Sequence, residues 1–102
     1  MIAEISVVPI GKEIDLASHV AHVVKIIDAS GLDYKLHAMG TVVEGESDQV
    51  FDLIRKCHNK MLESSERVYT TIKIDERKDK KAKMIEHKVL AVEKELGKSL
   101  VE

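Results

Sequence analysis

The chain predicts an α+β sandwich of βαββαβ order with an extra helix at its C-terminal end. Three observations lead there. Apolar residues alternate with period two in four short stretches, as half-buried strands require. Between them lie stretches whose apolar residues recur every three or four positions, as on one face of a helix. The two periodicities follow one another in the order strand, helix, strand, strand, helix, strand, with one more helical stretch after that.

The first strand is read from Ile2 to Ile10. Ala3, Ile5 and Val7 take one face and Glu4, Ser6 and Val8 the other; Pro9 and Gly11 end it. Asp15 is placed to cap the first helix, whose stripe is Leu16, Val20, Val23, Val24 and Ile27. Gly31 follows, where a left-handed cap is wanted. Tyr34, Leu36 and Ala38 alternate with Lys35, His37 and Met39, and Thr41 to Glu44 forms the partner strand. Ser47 or Asp48 starts a second helix carrying Val50, Ile54, Cys57 and Met61, with Phe51, Leu53 and Leu62 widening its apolar face. The fourth strand runs from Arg67 to Asp75. Val68, Thr70, Ile72 and Ile74 lie opposite Arg67, Tyr69, Thr71, Lys73 and Asp75. A charged break over 75–81 precedes a helix from about Ala82 to Leu96, with Ile85, Val89, Val92 and Leu96 in line and Gly97 as its stop.

Two βαβ units joined by a hairpin give the ferredoxin-like arrangement, a four-stranded antiparallel sheet with both helices on one face. The other face is left open. Strand parity puts Glu4, Ser6, Val8, Lys35, His37, Met39, Arg67, Tyr69, Thr71 and Lys73 there. The parity of 41–44 is not fixed by sequence, because a one-residue slip exchanges the faces. This mixture of apolar and charged groups suits a subunit interface or a ligand floor. The last helix has an apolar stripe and no place in the basic fold, which points to homo-oligomerisation.

At 102 residues one domain, 1–102, is expected. A net charge of −2 argues against nucleic-acid binding, as does the lack of stacking aromatics beyond Tyr69. With 44% hydrophobic residues the chain is not of the disordered class. A single cysteine, Cys57, allows no internal disulfide and fits a reducing cytosol; its place on an apolar stripe makes it a core thiol. No apolar run is long enough to span a membrane, and Glu4 within the first apolar stretch makes it a strand rather than a signal peptide.

No nucleophile triad, phosphate loop, paired-cysteine motif or dinucleotide fingerprint is present, so no cofactor and no specific reaction is indicated. His19 and His22 share a helix face without further metal ligands nearby and read as solvated. The stretch Leu36-His37-Ala38-Met39-Gly40-Thr41-Val42-Val43-Glu44-Gly45 is the most distinctive. It reads either as a hairpin with a polar exit or as a small-ligand site. Glu4 likewise reads as a ligand or interface carboxylate, or as the structural partner of Arg67.

This stretch, together with Glu4-Ile5-Ser6-Val7-Val8-Pro9-Ile10-Gly11 and Arg67-Val68-Tyr69-Thr70-Thr71-Ile72-Lys73-Ile74-Asp75-Glu76-Arg77, resembles the small YkoF-like thiamine-binding protein family. The resemblance runs from Met1 to about Leu96. It implies a ferredoxin-like fold, assembly into dimers or dimers of dimers through the sheets, and non-catalytic cytoplasmic binding of thiamine or its pyrimidine moiety. The residues offered for that ligand are Glu4 and Glu44 for the thiazolium charge or the amine, and the hydroxyls of Ser6 and Thr41 for ring nitrogens. Gly40 and Gly45 are offered for close backbone approach, Met39 and Tyr69 as walls, and His37 and Arg67 as polar neighbours on the open face. The competing expectation is a structural or regulatory homo-oligomer whose open sheet face is buried between subunits without a ligand.

Overall fold

The computed structural model describes residues 1–11 and 17–100. Its elements are β1 (Ile2–Pro9), α1 (Ala17–Ala29), β2 (Asp33–His37), β3 (Gly40–Glu44), α2 (Ser47–Leu62), β4 (Val68–Asp75) and α3 (Met84–Leu96). This is the expected ferredoxin-like α+β order with its additional helix. The expected α1 cap, Asp15, and Leu16 lie outside the described residues.

The sheet order is β2-β3-β1-β4 with every neighbour antiparallel. β1 is therefore central, and its alternation is clean: Ala3, Ile5, Val7 and Pro9 are buried while Glu4 is exposed. The core is aliphatic, with Ile27, Val43, Val50 and Cys57 almost completely enclosed. Burial pushes the Cys57 thiol up to about 11, so it stays a neutral core group at physiological pH. Tyr34 Oη donates to Asp28 Oδ1 at 2.9 Å, tying β2 to the end of α1.

The register of β3, open in the sequence, is settled by the pairs Ala3↔Val43 and Ile5↔Thr41. Thr41 and Val43 thus face the helices; Gly40, Val42 and Glu44 share the open face with Glu4 and Ser6. The hairpin turn at Ala38 and Met39 uses no positive φ, so it is not a primed turn. Gly31 and Gly97 do take left-handed φ values of 77° and 72°, as their positions after α1 and α3 predict.

Two expectations shift. The last helix begins at Met84 rather than Ala82, because Lys80 and Lys83 adopt left-handed φ values of 56° and 60°, outside helical geometry. The second concerns apolar residues expected to face the core. Ile72 and Ile74 lie on the helix side of β4 but are 43% and 40% exposed, and Phe51 and Leu62 on α2 are 47% and 43% exposed. The reason is that α2 packs over β1 more than over β4, which leaves the outer edge bare. α3 meets the body chiefly at β3. Its stripe is half-buried at Ile85 and Val89 but open at Val92 and Leu96, consistent with the elongated 45 × 29 × 20 Å envelope.

Candidate ligand cleft at the Gly40 end of β3

β3 is shorter than β1, and that inequality makes the cleft. Pairing between them ends at Ile5↔Thr41, while β1 continues through Ser6, Val7 and Val8 against β4 alone. The gap beside the β2–β3 hairpin is closed from the helix side by α1. The result is a cleft of about 260 Å³. Val7, Val20, Val23, Val24 and Leu36 give it an apolar wall, and Ser6, His37 and Thr41 contribute polar groups around it.

Gly40 sets the geometry of this end. A Cβ there would lie 2.7 Å from the Ile5 carbonyl oxygen and 3.7 Å from Ser6 Cβ. The missing side chain thus lets β3 approach β1 just where the cleft begins. Across the turn, the Met39 N–H donates to His37 Nδ1 at 3.3 Å. The neutral imidazole then carries its proton on Nε2, which lies 3.3 Å from Glu4 Oε2. Glu4 is thereby held beside the cleft mouth with its side chain 46% exposed. Its other carboxylate capacity faces the open side.

The remaining candidates lie elsewhere. Glu44 stands at the opposite end of β3, where Oε2 accepts the Met84 N–H at 2.8 Å and Oε1 the Ile85 N–H at 3.2 Å. It caps α3 from a distance, a task the Lys83 side chain does not perform. Gly45 belongs to the same end: its N–H donates to the Met1 carbonyl at 3.0 Å, and a Cβ there would lie 2.9 Å from Leu32 Cδ2. A second basin, about 270 Å³, opens here, and three of the charged groups around it are paired within the chain. Asp75 holds Lys88 at 2.7 Å, Arg77 holds Asp79 at 2.6 Å and Lys80 holds Glu76 at 3.5 Å. The first of these contacts lowers the Asp75 pKa.

Met39 is 81% exposed at the hairpin tip and lines the cleft mouth. Arg67, expected to open the fourth strand, precedes β4 and pairs with Ile10 beyond the cleft, while Tyr69 on β4 is the cross-strand neighbour of Val8, a cleft residue, without itself lining the cleft. Glu4 has Lys73 as its β4 neighbour, which puts Arg67 six residues, roughly 20 Å, farther along the strand. The structure thus brings together Ser6, His37, Met39, Gly40 and Thr41 with Glu4 adjoining, sets Tyr69 one strand over beside Val8, and keeps Glu44, Gly45 and Arg67 apart from them. The sequence pattern marks the valines of the wall only as core residues. The signal that could have found them is the strand-length mismatch: a hairpin that starts at Gly40 leaves the last residues of β1 with one partner. Among the described residues, no cluster of three or more His, Cys, Asp or Glu is disposed to hold a metal, and no helix is long and apolar enough to cross a membrane.

Fold and cleft together define a small ferredoxin-like domain with a one-ring-sized cavity at the end of its central strand pair. Comparison with known proteins places it more closely. A family model described as thiamine-binding protein matches residues 3–93, and the chain belongs to that family. It is 35% identical to the UPF0045 protein MJ1052 of Methanocaldococcus jannaschii over 92 residues, 90% of this chain and 91% of that one. It is 38% identical to the UPF0045 protein YqgV of Bacillus subtilis over 101 residues, covering 93% and 96%. The crystal structure of MJ1052 superposes with a TM-score of 0.82 over 89% of this chain and 93% of the other. The TM0486 protein of Thermotoga maritima, named for a proposed role in thiamine biosynthesis or salvage, shares the fold at a TM-score of 0.78. It has 23% identity, with 89% and 96% covered.

Proposed function

We propose that this chain is a non-catalytic, cytoplasmic and self-associating binder of thiamine or its hydroxymethylpyrimidine moiety, and that the ligand ring enters the cleft at the Gly40 end of β3. The observation that carries this reading is the meeting of an aliphatic wall with hydroxyl and imidazole groups in a space of about 260 Å³. That space is at the small end for ligand pockets and suits one ring rather than two. The pyrimidine would lie against Val20, Val23 and Val24, with its nitrogens and amine toward Ser6, Thr41 and His37. A thiazolium left outside would face the Glu4 carboxylate, which offsets its charge. Membership of a family named for binding rather than catalysis supports the same reading.

Calorimetric titration with thiamine and with the free pyrimidine alcohol tests it. Binding of both, with the pyrimidine keeping most of the affinity, is expected. No heat and no thermal shift at millimolar ligand would sink the proposal.

A second reading is favoured by one feature. The open face carries Ile2, Val8 and Val42, each half-buried, together with Tyr69, 63% exposed, while Val92 and Leu96 of α3 are open. In a purely structural or regulatory oligomer this face would be packed between subunits and no ligand would be needed. An oligomer that shows no response to thiamine is its signature.

A further inference from the structure

Strand register sorts the open face of the sheet into rows that cross all four strands, and each row has its own chemistry. Asp33, Glu44, Ile2 and Asp75 form one row. Lys35, Val42, Glu4 and Lys73 form the next. His37 beside Gly40 and Ser6 beside Thr71 follow, with Gly40 lying against Ser6 at the cleft. Successive rows are two residues, about 7 Å, apart. Moving away from the cleft, the face therefore runs from hydroxyl and imidazole to lysine and then to carboxylate.

The lysine row is the unusual one. It holds two ammonium groups and one carboxylate. Glu4 stands directly across from Lys73, an arrangement that ordinarily gives a cross-strand ion pair. Glu4 instead reaches diagonally to His37 Nε2 at 3.3 Å. Lys73 is exposed and Lys35 half-buried, one on each side of Glu4. The acidic row beyond is partly committed to the fold, Glu44 to the first N–H groups of α3 and Asp75 to Lys88.

We propose that the lysine row is a phosphate subsite, and that the preferred ligand is the phosphate monoester of thiamine rather than thiamine itself. This rests on the cleft reading given above and names the ligand class of the same site. With the pyrimidine in the cleft and the thiazolium against Glu4, the hydroxyethyl arm leaves the thiazolium on the side away from the pyrimidine. A phosphate on that arm comes within reach of Lys73, one strand from Glu4, and of Lys35, two strands away on the other side. The row then matches the ligand charge for charge: carboxylate to thiazolium, ammonium groups to phosphate. A second phosphate would extend one row farther, toward Asp33 and Asp75, where like charge opposes it. The face thus selects for one phosphate and against two.

Calorimetry on the whole chain with thiamine, thiamine monophosphate and thiamine diphosphate tests this at low ionic strength. The monophosphate should bind about tenfold more tightly than thiamine, the low end for hydrogen bonds to a charged group at an exposed site. The diphosphate should bind no more tightly than the monophosphate. Lys73→Met should remove most of the gain and Lys35→Met a smaller part, with thiamine itself bound no more weakly. Lys81→Met, in the basin at the far end of β3, should leave the gain intact. Raising salt to about 0.5 M should shrink it, since exposed charges are screened. Equal affinities for thiamine and its monophosphate overturn the proposal, as does a preference that survives Lys35→Met/Lys73→Met. A diphosphate bound more tightly than the monophosphate overturns the one-phosphate limit. In each of those cases thiamine still binds and the cleft reading stands; absence of thiamine binding overturns that reading instead.

Discussion

The two ends of β3 carry similar-looking residues and use them for opposite purposes. At one end Gly40 and Thr41 stand beside a cleft whose Ser6 and His37 are available to an incoming molecule. At the other, Glu44 and Gly45 are consumed by the fold: Glu44 holds the start of α3 and Gly45 continues the pairing with Met1. In sequence these four residues form one compact motif. In the structure a strand of roughly 13 Å separates its two halves. A glycine, a hydroxyl and a carboxylate close together in sequence do not converge when the segment between them is extended.

The two ends should part most visibly at their glycines. Gly40→Ala would push a Cβ against the Ile5 carbonyl, a backbone atom of the central strand that cannot step aside. It should cost about 2–3 kcal/mol in denaturant unfolding, as overpacked sites do. Gly45→Ala meets chiefly the end of the Leu32 side chain, which can rotate away, with Gln49 Oε1 next at 3.2 Å. It should cost about 1 kcal/mol, at the low end of the overpacking range. Equal costs would mean that β3 approaches β1 no more tightly at one end than at the other.

Ligand affinity sharpens the contrast. Thr41→Val removes a hydroxyl while keeping the shape, and His37→Ala removes the imidazole that Glu4 and Met39 orient. Each should weaken thiamine binding about tenfold, the worth of one hydrogen bond at roughly 1.4 kcal/mol. Glu44→Gln at the far end should leave the titration unchanged. The reverse pattern would move the ligand to the Glu44 basin.

Glu44→Ala should instead be felt by α3. Its first two N–H groups lose their acceptor, costing about 1 kcal/mol by analogy with helix caps. Faster amide exchange at Met84 and Ile85, spreading along α3 while β1 and β3 keep their protection, is the expected result. Unchanged exchange would mean that the rest of the helix interface suffices.

How much of this was legible in the chain follows from what each feature depends on. The element order, the two faces of β1, the buried Cys57 and the left-handed glycines after α1 and α3 depend on local pattern, and the sequence states them. The face taken by Thr41 depends on register, which period-two alternation in a short Thr-Val-Val-Glu strand cannot settle. The bare β4 edge depends on where α2 lies across the sheet. Helical periodicity says that Phe51 and Leu62 are apolar flank residues, not which strand lies beneath them. The role of Glu44 depends on a contact with residues forty positions away, and a carboxylate that caps a distant helix looks in sequence like one awaiting a cation.

The smallest effect lies in the acid that steadies α3 beside Glu44. Asp75 has its pKa lowered, first by the hydrogen bond from Lys88 and then by the same ammonium's charge. A carboxylate depressed on folding contributes stability that is present above its unfolded pKa of about 3.9 and is lost as pH falls through the lower folded value. The Lys88–Asp75 contact should therefore hold from neutral pH through the ordinary aspartate range and release only below it. Both side chains are about half exposed, so salt should screen the effect and stability should change little. The sensitive readout is the carboxyl carbon shift of Asp75 in an NMR titration. It should titrate below the ordinary aspartate range in the parent chain and return toward that range in Lys88→Met. An unshifted titration in both would mean that α3 is not anchored at this point, and that Glu44 alone secures this end of β3.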